Sequence, residues 1–311
     1  MNTKNTKTAV IVLLVIANIF FIYNIIWLGI SSENIPSEMI ENAAVVLSKS
    51  GFIADKSVIP AKKPMDFMYE GVSSQDIYEN IVKSFSGAEF KDADEILVPM
   101  GISYAAGNHR FIFTDSDYFR ITITEKSYYG NTEEIEQIEN AVQAAIDSAK
   151  ESAVTGNQSG APKKTKDIIR NFLRKYNNQD ARLGFAIISY EEDKNQSREY
   201  IWINQTADGI FIDSHIAYAE ISGGSVRYFS GKWYFGELAA INIPLLDSVN
   251  ILFKSMEADG SIVSGDRLIE MGKEYNVRQH EKDRFYLVPS WRLIFKSGIK
   301  LSYNMVTGYK N

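Results

Sequence analysis

Three histidines, His109, His215 and His280, are the chain's candidates for acid–base chemistry near neutral pH. Each stands alone, in or just before a strand-like stretch, and reads as a surface or hydrogen-bonded structural residue. Asp213-x-His215 has the spacing to orient an imidazole, yet no nucleophile accompanies it. The Gly-x-Ser-x-Gly turn that presents a nucleophilic serine is absent. Asp115-x-Asp117 offers two hard oxygen ligands of the kind calcium takes, without the rest of an EF-hand loop, so a turn is the plainer reading. Glu191-Glu192-Asp193 reads as a solvated charge run at a hairpin tip. With 39 acidic residues, no glycosidase-type carboxylate pair can be singled out. Phosphate-binding and dinucleotide fingerprints are missing. The expectation is a non-catalytic protein with no cofactor and no catalytic, cofactor-binding or metal-ligating residue. Zero cysteines exclude disulfides and thiolate-bound metals.

The strongest physical signal lies at the N-terminus. Residues 9–30, AVIVLLVIANIFFIYNIIWLGI, carry no charge and are long enough as a helix to cross a hydrocarbon core. The run exceeds a signal peptide's apolar region, and no small-x-small cleavage site follows it. Lys4 and Lys7 precede it, whereas Glu33, Glu38 and Glu41 follow. The sequence therefore predicts a single-pass anchor in the cell membrane, with a cytoplasmic N-terminus and the bulk of the chain extracytoplasmic. Asn18 and Asn24 could hydrogen-bond to partner helices in the bilayer, and Tyr23 and Trp27 sit at its outer boundary. All 39 acidic residues lie beyond the run. This excess argues against nucleic acid and against docking onto anionic lipid.

Apolar periodicity orders the remainder. Ser37 caps a helix to about residue 50 with Ile40, Ala43 and Leu47 on one face, ended by Gly51. A second helix starts at Ser73 or Ser74, with Ile77, Ile81 and Phe85 inward. Residues 109–114 and 118–124 form a hairpin. A capping box at Asn131 and Glu134 opens a further helix. The polar stretch 151–164, with Gly, Ser and Pro, separates a first α+β domain over 31–150 from a second region over 165–311. That region repeats a pattern of helix followed by antiparallel strands. The first copy has a helix over 165–176 and strands near 183–190, 198–205, 215–222 and 225–230. The second has a helix from Pro244 and strands near 267–277, 284–296 and 299–306. The expected class is α+β, with helices packed on antiparallel sheets behind a membrane anchor and a tail of residues 1–8.

Several of these segments resemble the YycI regulatory proteins of Gram-positive bacteria and, more distantly, the YycH proteins. The matching residues are Ala43, Leu47, Gly51, Val58-Ile59-Pro60 and Pro64 early in the chain. Near its end they are Pro289-Ser290-Trp291 and Tyr303-Asn304-Met305-Val306-Thr307-Gly308. Ile210-Phe211-Ile212, leading into strands over 215–230, is similar to the family's PepSY-like units. The resemblance implies association with a membrane-bound sensor histidine kinase of the WalK (YycG) type, largely through membrane helices. It also implies a YycH-type second partner and a role in the two-component control of cell-wall metabolism. Two other classes stay open on the residues alone: a membrane-anchored cell-wall enzyme, and a PepSY-like inhibitor or chaperone of an exported protein.

Overall fold

The structure is a computed structural model. It describes residues 34–49, 51–64, 66–72, 75–87, 94–98, 101–113, 120–125, 160–175, 180–258, 265–281 and 284–311. In chain order the elements are α1 (Ser37–Lys49), β1 (Ile53–Ala54), β2 (Met68–Val72), α2 (Gln75–Ser86), β3 (Asp94–Val98), β4 (Gly101–Ala106), β5 (His109–Phe113) and β6 (Arg120–Glu125). There follow α3 (Lys163–Leu173), β7 (Leu183–Asp193), β8 (Arg198–Ala207), β9 (Ile210–Ser222), β10 (Ser225–Lys232), β11 (Leu238–Ile241), α4 (Ser248–Ala258), β12 (Arg267–Glu281), β13 (Arg284–Phe295) and β14 (Lys300–Asn304).

Two expectations are corrected here. The fold is mostly β, not α+β, with about half of the described residues in strands and about a fifth in helices. The expected helices near 37–50, 74–86, 165–176 and after Pro244 exist but stop after 11 to 13 residues, the one opened at Asn131 lies outside the described residues, and β2, β3, β4 and β11 arise where periodicity showed no strand. PepSY-like helix-on-sheet repeats are therefore not the organising unit. The second correction concerns the anchor. Among the described residues no helix is long and apolar enough to cross a membrane. The longest, α1, has 13 residues, against the ~20 that a bilayer core requires. The expected span, 9–30, lies outside the described residues. The structure thus gives no support to the single-pass topology, and the membrane localisation built on it is withdrawn.

The chain divides into two compact units, one of residues 1–66, 243–272 and 291–311, the other of 67–242 and 273–290. In the first unit α1 buries Ile40, Ala43 and Leu47, the face its sequence predicts, and Gly51 follows at φ 83°, where a Cβ would be strained. These side chains pack with Val249 and Leu252 of α4, Leu268 of β12 and Trp291, Leu293 and Phe295 of β13. Trp291 is fully buried and donates its indole N–H to the Leu246 carbonyl at 3.0 Å.

The second unit is built on one path of strands, in the order β11-β2-β13-β12-β9-β10-β6-β5-β4-β3, with β8 and β7 extending from the other side of β9. Sequential strands pair antiparallel across tight turns. Asp208 and Gly209, at φ 49° and 78°, close β8 onto β9, and Gly223 and Gly224, at φ 59° and 78°, close β9 onto β10. Alternation separates two faces. Ile201 and Ile203 of β8 join a core with Ile81, Val82 and Phe85 of α2 and Ile169, Phe172 and Leu173 of α3. Tyr200 and Trp202 turn the other way, toward Tyr218 and Tyr228.

A close approach of backbone to backbone is at Gly231 of β10, opposite Ala217 of β9. Its φ is 151°, and a Cβ there would overlap the Ile216 carbonyl and the Ala217 backbone. Neither neighbour is a flexible side chain that can swing away. Gly231→Ala is expected to lower stability by at least ~2 kcal/mol through left-side strain and overpacking. A shift of the urea midpoint to lower concentration checks this, and an unchanged midpoint contradicts the geometry.

Candidate functional site

The residues singled out for membrane partner binding, Asn18, Tyr23, Asn24 and Trp27, lie outside the described residues, as do Asp115 and Asp117. The histidines are not brought together. His109 opens β5 beside the Phe85 ring at 6.0 Å, and burial holds its imidazole pKa below the ordinary value. His280 lies exposed on β12 against Tyr286, with ring centroids 5.2 Å apart. His215 is buried in β9, its Nδ1 3.0 Å from Gln205 Oε1. That oxygen also accepts the Tyr234 backbone N–H at 2.9 Å, while Gln205 Nε2 donates to the Tyr234 carbonyl at 2.6 Å. Tyr234's backbone fixes which way the amide points, so His215 is assigned its proton on Nδ1. Asp213 does not orient this ring. Ser214 between them has φ 64°, which breaks the strand's alternation, leaving Asp213 exposed and His215 buried. Among the described residues no three His, Asp or Glu side chains are grouped to hold a metal.

A polar cluster missed by sequence reading sits where β2, the start of β7, the β8–β9 turn and β11 meet. Arg182 grips Asp180 with two bonds, Nε to Oδ1 at 2.8 Å and Nη2 to Oδ2 at 2.5 Å. It also donates to the Leu238 carbonyl and lies over the Tyr69 ring, 5.1 Å from its centroid. Tyr69 donates its hydroxyl to the Asp208 carboxylate. Burial, followed by that bond, pushes the Tyr69 phenol up to about 12. Hydrogen bonds from Arg182, followed by those from backbone N–H groups, hold the Asp180 carboxyl down at about 2. Neither group is poised to exchange a proton near pH 7. The cluster pins four chain segments together by charge-assisted bonds.

A different feature is open. A cavity of about 500 Å³ lies beside β7, lined by Lys166, Arg170, Leu173 and Arg174 of α3, residues 183–187 of β7 and Phe211. Its size falls in the ~300–1,000 Å³ range of binding clefts. The helix places its cations there because Thr165, Ile169, Phe172 and Leu173 take its core-facing side. The signal was present in the sequence as KKTKDIIRNFLRK, six basic residues against one acid in a chain of net charge −6.

No protein-family model matches the chain, and no curated protein matches it. Among solved structures, one of an uncharacterized protein from Eubacterium rectale ATCC 33656 aligns over 78% of this chain and 84% of that one, at 9% identity and a TM-score of 0.36. A similarity at that level carries no argument about function.

The Asp180 carboxyl has a pH signature. Its side chain is 8% exposed, so the Arg182 pair is little screened. An unfolded aspartate ionises near ~3.9, well above the folded value, so the stabilisation is present above that pH and is lost as pH falls toward 2. Asp180→Asn is expected to cost on the order of 2 kcal/mol at pH 7 and to flatten the stability curve between about pH 4 and pH 2. Urea unfolding across that range measures both, and a variant whose acid limb matches the native one rules the assignment out.

Proposed function

We propose that the chain is a non-catalytic, protein-binding regulator. Its partner is a sensor histidine kinase of a cell-wall-controlling two-component system, and a YycH-type protein is the second partner. One observation carries the non-catalytic part. The acidic side chains drawn against other ionisable groups include Asp180 with Arg182, Asp208 with Tyr69, and Glu125 with Arg227, and each is held by its partner. A catalytic centre needs such groups facing a cleft with an unmet bond. The cavity beside β7 is lined instead by cations, apolar side chains and main chain. The kinase part rests on the resemblance carried by residues 43–64 and 289–308. Modulation requires that the chain contact the kinase's two signalling states differently.

A second reading has its own support. An inhibitor or chaperone of another protein holds a client polypeptide, and the cavity beside a strand edge that is unpaired among the described residues suits that task.

The test is reconstitution of the full chain with the host's detergent-solubilised sensor kinase, read by co-elution and by the rate of kinase autophosphorylation. Co-elution with a several-fold change in rate is the expected result. A kinase that neither co-elutes nor changes rate overturns the regulatory reading.

A further inference from the structure

We propose that the cavity between α3 and the first half of β7 receives an extended, acidic segment of a partner polypeptide, which adds to the sheet as a strand beside residues 183–187. The inference rests on the protein-binding reading and assigns it a site. The argument begins with alternation. Successive residues of a strand point to opposite faces, so a cavity lying over one face touches every second residue. This cavity is lined by all five of Leu183, Gly184, Phe185, Ala186 and Ile187. Gly184 and Ala186 have little or no side chain, so the cavity meets main chain there. It therefore lies along the edge of β7.

That edge is open. β7 pairs with β8 and, among the described residues, with no other strand. Its two halves are treated differently. A bulge interrupts the β7–β8 register between Ile187 and Ser189, and Glu191, Glu192 and Asp193 follow it. Bulges and charges are the devices that discourage strand addition. Both stand in the second half, and residues 183–187 carry neither. The unguarded half is the one that faces the cavity.

Charge selects the occupant. Arg170 shares its guanidinium with Asp167 at 2.6 Å, in a pair whose side chains are both more than 40% exposed. Lys166 and Arg174 have no acidic partner among the described residues. Three cations along one wall favour carboxylates spaced along an extended chain. The remaining lining, Leu173, Phe185, Ile187 and Phe211, suits the apolar side chains that alternate with them. A nucleic acid or a lipid headgroup would use the cations and leave the strand edge unpaired.

Fluorescence anisotropy of a short labelled peptide alternating valine and glutamate, titrated with the full chain, tests this. Saturable binding that weakens with salt is expected. N-methylation of alternate peptide nitrogens should abolish it, and Arg170→Glu/Arg174→Glu should weaken it by about tenfold or more. Both arginines are exposed, so that variant is expected to keep the native circular dichroism spectrum. Amide exchange over residues 183–187 should slow in the complex, a readout that needs no substitution. The strand-addition proposal is overturned if the N-methylated peptide binds as well, if a valine–lysine peptide binds equally, or if no peptide binds. The regulatory reading is tested apart from it. Co-elution of the kinase without peptide binding removes the groove and leaves the regulator, whereas peptide binding without kinase association does the reverse.

Discussion

The second unit depends on one strand changing partners. β9 runs along β8 for its whole length, but its other edge pairs in parallel with β12 at Ile212 and then antiparallel with β10 from Ala217 onward. The two neighbours share that edge in succession, one ladder slanted and evenly spaced, the other perpendicular with alternating spacing. The β8–β9 register slips between Asn204 and Thr206, and Ser214 takes φ 64°. Backbone groups freed by such a slip are costly when buried, by about 1–3 kcal/mol each. At the slip the Asn204 side-chain amide donates to the Ile212 carbonyl at 3.3 Å, and Gln205, fully buried beside it, bonds the Tyr234 backbone twice and faces His215. His215 and Gln205 are part of the filling of a topological joint.

The same accounting of backbone groups governs the periphery of that unit. A sheet that does not close leaves edges, and each edge is a row of unmet donors and acceptors. β11 has four residues and β3 has five, so little is left exposed at the ends of the path. β7 has eleven, too long to be harmless by brevity. Its acid-rich far half, bulged at Ile188, is protected by side-chain chemistry. Its near half is sheltered by α3 across a gap large enough to admit another chain.

Much of the secondary structure could be read from residues. The buried face of α1, the Gly223-Gly224 hairpin and the strands of β7, β8, β10 and β12 follow from spacing alone. The fold class could not, for reasons that lie in particular residues. β2 contains Gly71, which scores against a strand. It sits opposite Phe285 in the register, and the ring occupies the space a Cβ would fill. Asp208-Gly209 is a strong hairpin signal that was passed over, so β8 and β9 were read as ending and starting several residues apart. The spacing of Asp213-x-His215 suits an oriented imidazole, and Ser214's backbone, at φ 64°, undoes it. Hydrophobicity over 9–30 predicted an anchor from apolar length alone, and none of the described helices reaches that length.

A binding edge has a further property that bears on why no motif announced it. Enzymes reveal themselves because chemistry demands side chains of given type and spacing. Strand addition uses N–H and C=O groups that every residue but proline supplies, so it constrains the sequence of the edge only weakly. What it does require is negative: no proline, no charge and no bulge over the paired length. Residues 183–187, LGFAI, satisfy all three within a strand whose next six residues hold a bulge and three acids. Specificity must then come from the facing wall, and the cations of α3 are the part of the site with chemical identity. The site is thus readable only once β7 and α3 are known to be neighbours, because half of its signal is an absence and the other half is nine or more residues away in the chain.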